Sequence, residues 1–483
     1  MSNLKKNFLY NSLISISQIL IPILTYPYAS KVLGVETIGS VSFADAISKV
    51  FMLVSSIGIP IYGVRSIAKC KENFENLKKT FQEIFILHIF ATTIFGIFFL
   101  FVVSNLKQTS ENIEFYYISL IATVLNIFSF EWYFMGVEKF KTLSIRYIFL
   151  KLFFGILVFI LIKTPQDKYI YFTLTLGMFV GNSVLNIFIL KRELFNFISF
   201  SKLNLKSHLK PLFYIFISNA AITIYLFLDT IILGLISNNT NVGLYSVALK
   251  IAKIPLILVS TISNVVFPKI SSSIHQKNNE EATNLLEYLL SIYSTLLIPI
   301  SIGLFVISKE IIIIFSNEEY LAASFTLKIL CFIIPFIGLS NIFGIQILTS
   351  LSKDKQLTFA VTCGMFISII LNYILAKKLN ENGTAIATLS SELVVCMITY
   401  YMAKKQFEFK LNIKNILYNV IICSLFLVIY NVINNKKYTP TTTIILTIIG
   451  CSLYYIFIQY FILKNPIFVQ LEKLFKKNNS ERI

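Results

Sequence analysis

Charge is what this chain has least of. Only 14% of its 483 residues are Asp, Glu, Lys or Arg, whereas a soluble domain carries about 25%, so an ordinary soluble globular protein is excluded. Its six cysteines, Cys70, Cys331, Cys363, Cys396, Cys423 and Cys451, include no CxxC pair and sit mostly in apolar runs. They read as small hydrophobes rather than a disulfide frame or a zinc site. The three histidines, His88, His208 and His275, lie in separate regions, so no metal cluster is visible. There is one Trp. No Gly-rich phosphate loop, GxSxG or HExxH motif occurs, so neither an ATPase nor another enzyme nor a cofactor is expected. Alternating segments of about ten residues, the mark of a membrane β-barrel, are also missing.

What the chain has is hydrocarbon. Hydrophobic residues make up 56% of it and the mean hydropathy is +0.75. Apolar runs of about 20 residues, enough to cross a bilayer, recur throughout. They predict an all-α membrane protein of about fourteen spans. The first six run near 8–33, 37–64, 81–104, 114–137, 142–163 and 168–190. The next six run near 211–236, 244–268, 285–308, 325–349, 357–377 and 384–403, and two more near 416–434 and 441–463. Lys5-Lys6 and the apolar run after them mimic a signal peptide, but the run is too long and too polar, and more spans follow.

The net charge of +18 does not require nucleic acid. Lys and Arg gather in alternate loops, among them Arg65 to Lys79, Lys139 to Arg146, Lys191 to Lys210, Lys404 to Lys414 and the C-terminal tail. By the positive-inside rule these loops and both termini are cytoplasmic.

Two segments share a register. Counted from Gly39 and from Gly243, each has Ser at +3, Ala at +5, Ile at +8 and Lys at +10, which makes Lys49 and Lys253 equivalent. Six spans per half then give a parallel repeat with an axis along the membrane normal. The expected domains are a first lobe over 1–190, a linker over 191–210 and a second lobe over 211–403. The last two spans cover 404–463 and a basic tail 464–483.

A Lys inside a membrane helix is costly and normally faces a wet cavity or a partner. On span two, Ser42, Asp45, Lys49 and Ser56 share a face with Met52; on span eight, Ser246, Lys250, Lys253, Ser260 and Asn264 do the same. Asn11, Ser15, Gln18 and Thr25 form a third stripe. Ser and Asn alone often serve as glue between helices; the lysines point instead to a central cationic cavity between two lobes. Asp45 and Lys49, at i and i+4, can also neutralise each other. Lys328 either joins the cavity or snorkels to the interface. The acids within spans, Asp45, Asp229, Glu131 and Glu392, are candidates for carrying H⁺ or Na⁺, or for pairing with lysines; Glu131 can equally face water.

Three stretches then carry a family resemblance. Ile21-Pro22-Ile23-Leu24-Thr25-Tyr26-Pro27-Tyr28 through Leu33-Gly34 resembles the first-helix signature of the Wzx oligosaccharide flippases. These belong to the multidrug/oligosaccharidyl-lipid/polysaccharide exporter superfamily. Tyr62-Gly63-Val64-Arg65 and Glu131-Trp132-Tyr133-Phe134-Met135-Gly136 are similar to its second- and fourth-helix patterns. Lys31 stands where these proteins more often have Arg, which keeps the charge and loses the bidentate fork. The resemblance implies a MATE-like fold of two lobes in the bacterial cytoplasmic membrane. Undecaprenyl-pyrophosphate-linked oligosaccharide is the implied substrate, moved to the outer leaflet by alternating access. Lys49, Arg65, Lys250, Lys253, Lys31 and Lys328 are the expected diphosphate ligands. The implied setting is surface-polysaccharide synthesis beside a polymerase or ligase, with a monomer as the transporting unit. A lipid II flippase and a cation-coupled drug antiporter share the fold and are the rival readings.

Overall fold

The computed structural model describes residues 20–197 and 203–465. Among them there are helices and no strands. Twelve of the helices are long and apolar enough to cross a membrane. One of these, Asp354–Gln406, has 53 residues and would be about 80 Å long if straight, far more than one crossing. It breaks at Asn380, whose φ is 50°, between the two spans expected there. Fourteen spans would require this helix to count twice and span one, described from residue 20 onward, to count as well. By their contacts the residues form two compact units, Met1–Gly243 and Leu244–Ile483.

The first unit runs α1 (20–33), α2 (Val35–Ser55), α3 (Ile59–Cys70), α4 (Phe74–Asn105), α5 (Ile113–Leu125), α6 (Glu131–Gly136), α7 (Phe140–Leu161), α8 (Lys168–Phe197) and α9 (Lys206–Ile236). Helix α10 (Asn239–Lys253) crosses the boundary between the units. Span two is thus two helices. Ile57 and Gly58, with φ of 38° and 77°, separate α2 from α3, and Pro60 starts α3, where its missing N–H costs nothing. Span four breaks as well, at Asn126–Phe130, between α5 and α6. α4 begins well before the apolar run, because the Asn73 side chain accepts from the Asn76 N–H at 3.0 Å and caps it. Its 32 residues leave Ile94, Ile97, Phe98 and Phe101 exposed on one stripe. Apolar helix faces of this kind suit lipid and not water.

The break in span four lies within a buried aromatic core. Trp132 is 2% exposed and stacks on Phe81, with ring centroids 5.3 Å apart. Ile59, Ile67, Phe130, Tyr133 and Phe134 surround it. A Cβ at Gly63 would lie 2.6 Å from the Trp132 ring, and one at Gly136 2.6 Å from Ile67. The two sequence motifs that carry the resemblance therefore hold each other, α3 against α6. At the far end of α2 the helices approach more closely still. A Cβ at Gly39 would stand 1.7 Å from the Asn239 carbonyl oxygen, and one at Gly243 2.1 Å from that of Val35. The two glycines that start the sequence repeat are thus in the same contact.

The second unit continues with α11 (Leu256–His275), α12 (Asn279–Val306), α13 (Ser308–Phe315), α14 (Ala323–Leu330) and α15 (Ile333–Asn341). A π-helical stretch, Ile342–Thr349, leads to α16 (Asp354–Gln406), α17 (Ile413–Ser424), α18 (Phe426–Asn434) and α19 (Pro440–Phe457). Its main core lies between α12, α15, the π stretch and the end of α16, around Leu286, Tyr293, Phe343 and Phe409. Buried polar bonds fasten α17 and α19 to α12. The Tyr455 hydroxyl is 2.8 Å from the Thr295 carbonyl and 2.7 Å from Asn419 Oδ1, which also accepts from Gln459 Nε2 at 2.6 Å. In hydrocarbon, amides without such partners would be strongly unfavourable.

Candidate functional site

The polar face of α2 lies in the middle of the first unit. Lys49 Nζ donates to Asp45 Oδ2 at 2.6 Å, and the two side chains are 32% and 23% exposed. The other carboxylate oxygen, Asp45 Oδ1, is buried and accepts no hydrogen bond from the described residues. The phenols of Tyr26 on α1 and Tyr171 on α8 lie within electrostatic reach of Asp45, and Ser42 lies close to the Tyr26 hydroxyl. The Phe227 ring of α9 is 5.9 Å from Lys49 Nζ. Lys151 on α7 is close enough to Lys49 for the two ammoniums to repel, and it joins none of the ion pairs among the described residues. Five helices therefore contribute side chains to one cluster of two lysines and one aspartate, an excess of one positive charge. Such a cluster can draw an anion to the Lys pair, with Ser42 and the phenols as hydrogen-bonding groups beside it.

The other expected residues are more dispersed. Ser56 is buried and accepts from Asn126 Nδ2 at 3.2 Å, a link between α2 and the turn after α5. Lys31 is exposed at the end of α1. Arg65 lies on α3, past the break at Ile57 and Gly58, and lines a separate cavity at the basic end of the unit. Asp229 is partly buried on α9, a helix that packs on α2 and α3 within the first unit. Asn11, Ser15 and Gln18 lie outside the described residues. In the second unit Lys250 is exposed and Lys253 partly buried, both in the last turn of α10. Ser246 is buried, while Ser260 and Asn264 on α11 are exposed. Lys328 on α14 sits over the Phe305 ring at 5.6 Å. Glu392 on α16 is partly buried near Cys396.

Two cations escaped the sequence reading. Lys151 is a lone Lys inside span five, in Leu150-Lys151-Leu152-Phe153; it has no repeat partner, though its setting in hydrocarbon was a usable signal. Arg146 reads as the last residue of a basic loop. In the structure it is 6% exposed, donates from Nη1 to Asn186 Oδ1 at 2.6 Å and lies 5.2 Å from the Phe134 ring. It is also the electrostatic partner of Glu131, which therefore faces a cation rather than only water.

The fold defines a class, the polytopic helical fold shared by the MATE transporters and MurJ. A solved structure described as the lipid II flippase MurJ in an inward closed conformation matches with a TM-score of 0.60 and 19% identity. The match covers 94% of this chain and 99% of that one. An inward-facing multidrug-resistance MATE transporter matches with a TM-score of 0.64 and 12% identity, over 83% of this chain and 94% of that one. Within that class the chain belongs to the polysaccharide biosynthesis protein family, whose model matches residues 4–274; residues 215–374 also match the MatE model. A candidate O-antigen transporter of Escherichia coli (strain K12) is 26% identical over 401 residues, which cover 83% of this chain and 96% of that protein. The likeness to Wzx-type proteins read from three short motifs is borne out along most of the chain.

Proposed function

We propose that the chain is a flippase for polyprenyl-diphosphate-linked oligosaccharide repeat units, moving them between the leaflets of the bacterial cytoplasmic membrane for surface-polysaccharide synthesis. The observation that carries this reading is the second lysine. Lys49 is neutralised by Asp45 at 2.6 Å, so a single-lysine pocket would offer an anion nothing. Lys151 beside it leaves a net positive charge within the membrane-spanning part of the unit, a placement that is unfavourable without an anionic ligand to offset it. A drug antiporter for cations would want the opposite sign. The O-antigen transporter assignment of the Escherichia coli relative supports the same substrate class.

In this mechanism Lys49 and Lys151 hold the diphosphate as point charges, and Tyr26, Ser42 and Tyr171 meet the sugars. Access alternates between the two membrane faces, with the basic loops and both termini cytoplasmic. The work is transport, not catalysis. H⁺ or Na⁺ coupling would draw on Asp45, Asp229, Glu131 or Glu392; protonating Asp45 or Glu131 would have to loosen its bond to Lys49 or its attraction to Arg146. Lys250 and Lys253 extend the cationic set in the second unit. A polymerase or ligase that consumes the flipped repeat is the partner this substrate demands.

The test is deletion of the gene in its host, with the leaflet location of the diphosphate-linked oligosaccharides read by their accessibility from outside. Cytoplasmic-side accumulation, reversed by the wild type and not by the Lys49→Ala/Lys151→Ala variant inserted at equal levels, is the expected result. Normal outer-leaflet appearance in the deletion strain, with no second transporter of this family present, would overturn the reading.

A further inference from the structure

At the basic end of the first unit, α3, the start of α4 and the start of α9 enclose a cavity of about 620 Å³. Its floor is built, not incidental. Glu83 and His208 are 4% and 8% exposed. His208 Nε2 lies 2.8 Å from Glu83 Oε2, and the Asn204 N–H donates to Glu83 Oε1 at 2.6 Å. The other ring nitrogen, His208 Nδ1, is 2.7 Å from the Tyr62 hydroxyl. Both carboxylate oxygens of Glu83 are thus occupied beneath the cavity, and the chain Tyr62–His208–Glu83 ties three helices together. The walls above it carry Arg65, Lys69 and Lys79, with Asn76 and Ser207 as neutral hydrogen-bonding groups. Three cations against one carboxylate leave the cavity with an excess of positive charge. The three cationic side chains are exposed and so remain available to a ligand.

We propose that this cavity is a docking site for a lipid-borne diphosphate, separate from the Lys49 pocket and occupied before it. Arg65 supplies a planar fork suited to two phosphate oxygens, and Lys69 and Lys79 act as point charges on the others. The cavity has several times the volume of a diphosphate group, so the first sugars fit with it. Arg65 lies on α3, past the break at Ile57 and Gly58, while Lys49 lies on α2, and the cavity's lining includes neither Lys49, Asp45 nor Lys151. Two stations in series follow, one at the basic surface where the substrate is made and one within the membrane-spanning helices. The inference rests on the flippase reading for its order of events, but not for the chemistry of the site.

The experiment uses the full chain in phosphatidylcholine nanodiscs and measures binding of geranylgeranyl diphosphate. Inorganic pyrophosphate and phosphatidylglycerol are the comparison ligands. The wild type is expected to bind the prenyl diphosphate, and Arg65→Gln/Lys79→Gln to bind it at least tenfold more weakly at an unchanged melting temperature. Arg65→Lys/Lys79→Arg should restore most of the affinity. In a Lys49→Ala/Lys151→Ala background, which removes the other station, prenyl diphosphate binding should persist and still fall on Arg65→Gln/Lys79→Gln. Undiminished binding in the Gln variant overturns the proposal. So does equal competition by phosphatidylglycerol, which would mark a general basic surface, and so does tighter binding of inorganic pyrophosphate than of the prenyl diphosphate, which would mark a site for a soluble ligand. The two readings separate in cells. Export that needs Lys49 and Lys151, with prenyl diphosphate binding untouched in the Gln variant, overturns the docking site alone. Binding that needs Arg65 and Lys79 in a chain whose deletion leaves export normal overturns the flippase reading alone.

Discussion

Gly39→Ala adds one methyl group where α2 meets the backbone at the start of α10. The new carbon would stand 1.7 Å from the Asn239 carbonyl oxygen, 2.6 Å from its carbonyl carbon and 2.8 Å from the Gly243 nitrogen. Ordinary carbon–oxygen contact needs about 3.2 Å or more, so α2 and the start of α10 would have to part by roughly 1.5 Å. All three obstructing atoms are backbone, so no side-chain rotation relieves the clash. Overpacking of this kind costs about 1–3 kcal/mol, against a gain in helix propensity of at most about 1 kcal/mol. The net effect is destabilising. Gly303→Ala is the matched control. It too is a helical glycine, but a Cβ there meets nothing within 4 Å, so only the propensity gain remains. The assay is thermal unfolding of the two variants in detergent, followed by size-exclusion of a fluorescent fusion. Gly39→Ala should melt several degrees below the wild type and Gly303→Ala at or slightly above it. If the two variants melt alike, the close approach of α2 and α10 is not part of the stable protein.

Three further outcomes follow from named contacts. Lys151→Gln should reduce polysaccharide export in a complementation assay well below Lys151→Arg, because charge rather than length is what Lys49 and Asp45 leave wanting; equal export by both would remove Lys151 from the pocket. Asn186→Leu strips Arg146 Nη1 of its acceptor and the Phe128 carbonyl of its donor. With a buried cation left short of a partner, the cost is about 2–3 kcal/mol, read as a lowered melting temperature. Gln459→Leu deprives Asn419 Oδ1 and Asn465 Nδ2 of a buried partner each. It should cost about 1–3 kcal/mol and raise protease sensitivity between α18 and α19, while Gln459→Glu, which keeps an acceptor for Asn465, should do less harm at low pH than at neutral pH.

The helices were legible because hydrocarbon length is written directly into composition, and the turn near Asn380 because Asn380-Glu381-Asn382-Gly383 interrupts two apolar runs. The break in span four was not, since Asn126-Ile127-Phe128-Ser129-Phe130 contains neither Gly nor Pro; tertiary packing of Phe130 and Trp132 sets it. In the pocket, Lys49 and Asp45 could be read from helical spacing and from the repeat. Lys151 could not be joined to them, because its neighbour is on another helix more than one hundred residues away in sequence. Arg146 was misplaced for a related reason. Loop and helix start differ there only by whether a charge has an internal partner, and Asn186 lies forty residues on. Arg65 reads from the resemblance as a diphosphate ligand alongside Lys49, yet spacing along one chain gives no sign that α2 ends and the chain turns at Ile57 and Gly58.

The solitary Trp132 gives the protein an optical label of its own. Its indole is enclosed by aromatic neighbours, is 2% exposed and finds no acceptor for its N–H among the described residues, an environment that shifts emission to the blue. Gly63 presses directly on that ring, two residues before Arg65 on the same short helix. Any tilt of α3 that follows occupancy of the cavity above it must slide a glycine across the only tryptophan in the chain. The arrival of a ligand can therefore be timed by intrinsic fluorescence in the unlabelled, native sequence.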